Sequence, residues 1–290
     1  MNFPRKSLSL CVTFYQNFMN IIEKFGITAT LCAALLVACG GAKSNAKGEE
    51  KEVENQPTTT YATLYDYRVV AEYPHSADSY TQGLEWVDGT MWESTGQEGE
   101  SYLQLLDLNS GAVQRIASLP DDEFGEGITH FGDRIYQLTW TSRKAYVYDL
   151  EGRLQKTIRY NGEGWGITTD GKRLFLSDGS STIREIDPET FATKRSILVS
   201  FNGQPLDYIN ELEWANGKIW ANIYLTSAIV EINPTTGIVE GYVDLPELRS
   251  RLKDNPEAEA FNGVAYNPIS GRFYVTGKDW NKIFEIEIVK

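Results

Sequence analysis

The sequence predicts an all-β chain folded as a five-bladed β-propeller, and three observations carry that expectation. An aliphatic–aromatic pair recurs five times, as Met91-Trp92, Ile135-Tyr136, Leu174-Phe175, Ile219-Trp220 and Phe273-Tyr274. Turn residues precede each pair: Asp88-Gly89, Gly132-Asp133, Asp170-Gly171, Asn216-Gly217 and Ser270-Gly271. The aromatic members stand 44, 39, 45 and 54 residues apart, the period of a four-stranded blade. Composition agrees, because 7 Trp, 16 Tyr and 12 Phe against 3 Met favour strands over helices.

The N-terminal segment reads differently from the repeats. Gly26 to Ala38 is an apolar run broken only by Thr28, Thr30 and Cys32, too short to span a bilayer comfortably. Leu36-Val37-Ala38-Cys39 matches a lipobox, so residues 1–38 are expected to be a lipoprotein signal peptide, with Met19 as an alternative start. Lipidation of Cys39 would anchor the chain to a membrane, in the cell envelope, as a periplasmic or surface-exposed lipoprotein. A processed secretory signal without lipid is the competing reading. Residues 39–62 are rich in Gly, Glu, Lys and Thr and are expected to form a flexible tether. Residues 63–290 are assigned to the propeller.

Within each repeat a first strand opens before the turn, at Gln82-Gly83, Glu126-Gly127, Trp165-Gly166, Glu211-Leu212 and Asn262-Gly263. A third strand follows the aliphatic–aromatic pair, with clear alternation in Ile183-Arg184-Glu185-Ile186 and Ile229-Val230-Glu231-Ile232. Four repeats continue into a fourth strand, and the fifth does not. Tyr67 to Tyr73 is expected to supply the missing strand and close the ring without an exposed edge. Helix is scarce: residues 246–252 are expected to give one or two turns, and 253–260 a long loop. A β-sandwich is the alternative, but it would not repeat one three-strand cassette five times.

Composition also excludes functions. A net charge of −13 argues against a nucleic-acid partner, which needs clustered cations. Cys11, Cys32 and Cys39 are the only cysteines, so a chain starting at Cys39 has neither a disulfide nor a thiolate metal site. His75 and His130 are the only histidines, which rules out a three-His zinc centre and leaves few candidates for a Ser-His-Asp triad. Chemistry must rest on carboxylate, amide, Lys or aromatic groups.

In a propeller blade the first strand lines the channel and the second returns antiparallel to it. The start of strand one and the end of strand two therefore share a rim. The first-strand openings and the positions four after each aromatic (Gly96, Trp140, Gly179, Tyr224 and Lys278) are thus expected at one mouth. That mouth would collect carboxylates, amides, an ammonium and aromatic walls, the composition of a small-molecule or peptide-end pocket.

At these residues the chain resembles the glutamine cyclotransferase family of plants and bacteria. The matching motifs include Tyr80-Thr-Gln-Gly-Leu84, Phe124-Gly-Glu-Gly-Ile-Thr129, Gly164-Trp-Gly-Ile-Thr168, Ile209-Asn-Glu-Leu-Glu213 and Thr276-Gly-Lys-Asp-Trp280. They run in order through all five repeats. The resemblance implies a five-bladed propeller that converts N-terminal glutamine of peptides or proteins to pyroglutamate with release of ammonia, an acyl-transfer reaction. It implies no required cofactor and no zinc, with a structural calcium in the channel as an option, and a monomer is expected. Residue by residue, it implies catalytic roles for Glu126, Asn210 and Lys278, and substrate contacts for Gln82, Trp140 and Trp165. Tyr80 and Tyr224 stand where family members commonly have Phe and Trp, and keep the aromatic character of those substrate-binding positions.

The chemistry suits these groups. The peptide's own amine attacks its side-chain amide, so reactant and electrophile are already tethered, and one carboxylate can carry the proton from amine to leaving nitrogen. Two rivals remain at this point: a non-catalytic propeller lipoprotein that binds peptides or proteins at the same rim, and a calcium-dependent propeller hydrolase. The second would draw oxygen ligands from Glu126, Asn210, Glu211, Asp178 and Asn262.

Overall fold

The computed structural model describes residues 61–290; Cys39, the lipobox and residues 39–60 of the expected tether lie outside the described residues. Five antiparallel sheets follow one another along the chain. Blade 1 comprises Thr81–Val87, Thr90–Thr95, Tyr102–Leu106 and Val113–Ser118. Blade 2 comprises Gly125–Phe131, Arg134–Thr139, Lys144–Asp149 and Leu154–Arg159. Blade 3 has Ile167–Thr169, Leu174–Leu176, Thr182–Ile186 and Thr193–Leu198, and blade 4 has Ile209–Ala215, Lys218–Ile223, Ala228–Ile232 and Val239–Asp244. Blade 5 is built from Phe261–Asn267, Arg272–Gly277 and Lys282–Val289, with Asp66–Pro74 from the other end of the chain as its outer strand. One pairing was not anticipated: Thr63–Leu64 adds in parallel to the outer strand of blade 4.

The inner strands touch in the order blade 1, 2, 3, 4, 5 and back to 1. The recurrent aromatics explain the closure, because each reaches from its own second strand into the following blade. Trp92 meets His130 edge-on at 4.7 Å. Tyr136 stacks on Phe191 at 5.9 Å, and Phe175 lies flat on Trp214 at 5.7 Å. Trp220 packs on Phe273 at 4.9 Å. Tyr274 completes the ring by stacking on Trp86 at 5.1 Å. The aliphatic partners beside these rings are fully buried, so the core is a series of inter-blade layers.

Close approach of the inner strands has a backbone cause. A Cβ on Gly83 would stand 2.6 Å from the amide nitrogen of Ile128, and one on Gly127 would stand 2.8 Å from the Cα of Gly166. Successive inner strands therefore meet with no side chain between them. The inner edge still exposes amide groups, which need partners when buried, and acids of neighbouring blades supply them. Glu85 accepts from the amide of His130 at 2.9 Å, and Glu213 from that of Tyr266 at 2.7 Å. Glu211 reaches two blades, accepting from Val264 at 2.9 Å and Leu84 at 3.3 Å.

The one short helix among the described residues is Pro246–Ser250, with Pro at its start and Leu248 buried beneath it, as an N-terminal proline favours. Arg249 holds the carbonyls of Ala258 and Glu259, pinning the long loop that leads into blade 5. Gly127→Ala should be destabilising by about 2 kcal/mol or more, since only backbone lies in the way of its methyl. Equilibrium urea unfolding measures this, and a wild-type midpoint would contradict the packing described.

Candidate active site

The mouth of the channel is shaped by β-bulges. In blades 1, 2, 4 and 5 the register between first and second strands slips at Gln82, Glu126-Gly127, Asn210-Glu211 and Asn262-Gly263. A bulge re-aims the extra residue's side chain, and here four polar side chains are affected. Blade 3 begins one step later, and its equivalent residue is Trp165, whose amide donates to Ser177 at 3.0 Å. The bulges correct one expectation. The blade 4 equivalent of Gln82 and Glu126 is Asn210, not Glu211, because Glu211 takes the position of the glycine and turns its carboxylate onto the inner-strand amides.

Glu126 is 4% exposed and accepts a hydrogen bond from the Gln82 amide at 3.2 Å. Asn262 orients Gln82 in turn, donating to its side-chain oxygen at 3.3 Å and to the Thr81 carbonyl at 3.0 Å. Burial pushes the Glu126 carboxyl well above the usual carboxylate range; Lys278 opposes the shift and Glu163 adds to it. The Lys278 ammonium is itself pushed down to about 8 by burial, against the pull of Glu126, Glu259 and Asp279. Its Nζ sits 4.8 Å from the ring centres of both Tyr80 and Tyr224, a cation–π clamp. The Asn210 side-chain oxygen is buried without a hydrogen-bond partner, and such a group in a native site calls for an explanation.

Aromatic rings complete the rim. Trp165 meets Tyr224 edge-on at 5.7 Å, and Phe124 meets Tyr80 at 5.9 Å and Trp140 at 5.8 Å. At the two glycine positions of the rim, neighbouring rings take the place of a side chain: a Cβ on Gly96 would enter the Phe124 ring at 2.4 Å, and one on Gly179 the Trp165 ring at 2.7 Å. The segment bearing Lys278 is tied down on both sides. Lys278 donates its amide to Ala260 at 2.9 Å, and Asp279 donates to Ser79 at 2.9 Å. His75, fully buried, bridges the Trp280 carbonyl at 2.6 Å and Glu93 at 3.0 Å.

Of the residues given site roles in the sequence, Gln82 bonds Glu126, Lys278 lies on Tyr80 and Tyr224, Trp165 meets Tyr224, and Trp140 and Trp165 share Glu163, while Asn210 stands at the equivalent bulge of blade 4. Three participants were missed. Phe124 precedes the Gly-Glu-Gly motif and was read only as part of it. Glu259 lies on the long loop and hydrogen-bonds Tyr80, helping to raise its hydroxyl pKa. Glu163 accepts from the indoles of Trp140 at 2.7 Å and Trp165 at 2.9 Å. As to calcium, no group of three or more His, Cys, Asp or Glu side chains among the described residues is arranged to hold a metal ion. The channel carboxylates Glu85, Glu211 and Glu213 face backbone amides instead.

The chain matches the family model described as glutamine cyclotransferase over residues 34–288. A glutaminyl-peptide cyclotransferase of Arabidopsis thaliana is 37% identical over 230 residues, covering 78% of this chain and 72% of the plant protein. The crystal structure of Myxococcus xanthus glutaminyl cyclase superposes with a TM-score of 0.72 at 37% identity, covering 79% of this chain and 98% of that one. An aldose sugar dehydrogenase of Streptomyces coelicolor superposes with a TM-score of 0.53 at 12% identity, covering 79% of this chain and 99% of that one, a likeness of fold alone.

The coupling between the two buried charges has a measurable sign. The Lys278 ammonium stabilises the Glu126 carboxylate, so Lys278→Met should raise the Glu126 pKa further, which ¹³C NMR titration of the carboxyl carbon reads directly. An unshifted or lowered pKa would disconnect the two groups.

Proposed function

The chain belongs to the glutamine cyclotransferase family, and we propose that it closes the N-terminal glutamine of peptides into pyroglutamate, with release of ammonia and Glu126 as the proton carrier. The observation behind this reading is a buried carboxyl, held by the Gln82 amide, at a mouth where Lys278 is clamped between two aromatic rings. The aromatic rim would hold the glutamine side chain folded back on its own amine, which removes most of the entropic cost of ring closure. Gln82 and Asn262 would orient the reacting amide and keep the Glu126 carboxylate directed at it.

In the reaction the α-amine nitrogen forms a bond to the side-chain amide carbon, and the bond from that carbon to the amide nitrogen breaks. Glu126 takes the proton that the attacking amine loses and returns it to the departing nitrogen, which leaves as ammonia. A carboxyl whose proton affinity is raised by burial suits both halves of that transfer, since it accepts a proton more readily than an exposed carboxylate and can then hand it on. The carbonyl oxygen gains negative charge as the amine adds, and the Lys278 ammonium is placed to stabilise it. The unpartnered Asn210 side-chain oxygen is available to accept a hydrogen bond from an N–H of the substrate. The net change is acyl transfer within one molecule, carried by side chains of this chain without zinc or another resident cofactor.

Outside the propeller, we assign Cys39 as the lipid-bearing residue that holds the enzyme at the cell envelope. Cys39→Ala should move the protein from the membrane fraction to the soluble one, and an unaltered distribution would remove the anchor.

Glu126→Gln should lower kcat/KM by roughly 10²–10⁴ with an unchanged far-UV CD spectrum, assayed by ammonia release from Gln-Xaa dipeptides. Retained turnover would remove Glu126 from the role. The pH profile follows from the two shifts. Activity rises as Glu126 loses its proton, above the ordinary carboxylate range, and falls as Lys278 loses its own near pH 8. Turnover should persist in EDTA, and its loss there would bring the metal-dependent alternative back.

A further inference from the structure

Glu163 stands two residues before the strand-one opening of blade 3, where the other repeats carry Tyr80, Phe124, Tyr208 and Ala260, so it is the one acid at that position. It belongs to the loop that enters blade 3, and its Oε2 accepts from two indole nitrogens on different blades. Trp140 donates at 2.7 Å from the end of the second strand of blade 2, and Trp165 at 2.9 Å from the start of blade 3. One carboxylate oxygen therefore sets the rotation of both tryptophan walls. The loop is itself held, because Arg184 donates to the Glu163 backbone carbonyl at 3.0 Å and to that of Asn161 at 2.8 Å.

The same carboxylate lies within electrostatic reach of Glu126, whose proton affinity it raises. The groups that act on Glu126 are the Lys278 ammonium, the Glu163 carboxylate, the Gln82 amide and the Tyr160 hydroxyl, the last coupled to it by charge. Lys278 favours the carboxylate form of Glu126, and Glu163 favours the protonated form. Glu163 is thus a partner of the ring walls and a counterweight to Lys278.

We propose that Glu163 is a positioning residue of the cyclisation site: by accepting from both indoles it locks Trp140 and Trp165 in the orientation that folds the glutamine side chain. This rests on the cyclase reading above. A carboxylate bridging two indoles is an uncommon use of an acid at a pocket wall, and a purely structural acceptor would not need its charge. Glutamine at 163 keeps an oxygen that can accept from both indoles and loses only the charge. Alanine loses both.

The test compares wild type, Glu163→Gln and Glu163→Ala by near-UV CD of the free proteins and by the pH dependence of kcat/KM on a Gln-Xaa dipeptide. Glu163→Gln should keep the tryptophan signal and a KM within about twofold, while the acid limb of the profile moves to lower pH as Glu126 becomes easier to ionise. Glu163→Ala should alter the tryptophan signal and raise KM about tenfold or more, because the walls are no longer held. A wild-type signal and KM in Glu163→Ala would overturn the proposal. A wild type that releases no ammonia would overturn the cyclase reading instead, and the CD comparison would still decide whether Glu163 orders the tryptophans.

Discussion

Everything at the mouth depends on backbone meeting backbone at the centre of the ring. Gly83 and Gly127 allow the inner strands of blades 1, 2 and 3 to pack with no side chain between them. Bulges at Gln82, Glu126, Asn210 and Asn262 then bring residues from four blades to one rim. Residues far apart along the chain become neighbours because the ring leaves them nowhere else to go. The aromatic bridge from each blade to the next holds this geometry from outside the channel, as a belt of buried rings that ends where Tyr274 meets Trp86.

Dryness then does the electrostatic tuning. Glu126 and Lys278 are each only 4% exposed, the second between the rings of Tyr80 and Tyr224, so each group loses hydration that would otherwise favour its charged form. Their mutual attraction returns part of that loss. The outcome is an acid and a base whose proton affinities move toward each other, the condition under which protons pass readily between a site and its substrate. Deeper in the channel Glu211 and Glu213 show the same rise without the same role. Their oxygens accept from backbone amides, and they hold the ring together. A raised pKa alone does not mark a catalytic group; what marks Glu126 is its place at the open end.

Much of this was legible from repetition. Five aromatic pairs at blade-length spacing gave the ring, the missing fourth strand pointed to Tyr67 to Tyr73, within the observed Asp66–Pro74, and the rim map gathered Gln82, Glu126, Trp165, Trp140, Tyr224 and Lys278. The map misplaced blade 4 by one residue, because Glu211 occupies the position of a glycine and a repeat reading follows the glycine. Glu163, Glu259 and Phe124 stayed hidden for a related reason. Phe124 and Glu163 stand two residues before the strand-one openings, where the other repeats carry Tyr80, Tyr208 and Ala260, so no one residue type flags the position; Glu259 lies on the long loop into blade 5, and only the folded chain shows an acid under two indoles. The parallel pairing of Thr63–Leu64 was invisible too, since two residues carry no periodicity.

A crystal structure of the protein with a slowly cyclising glutaminyl peptide tests the central claim most directly. The account places the peptide's α-amine within hydrogen-bonding distance of the Glu126 carboxyl, about 3 Å, with the side-chain amide oxygen turned toward Lys278 between Trp140 and Trp165. A peptide seated at the opposite end of the channel, or with its amine turned away from Glu126, would contradict it.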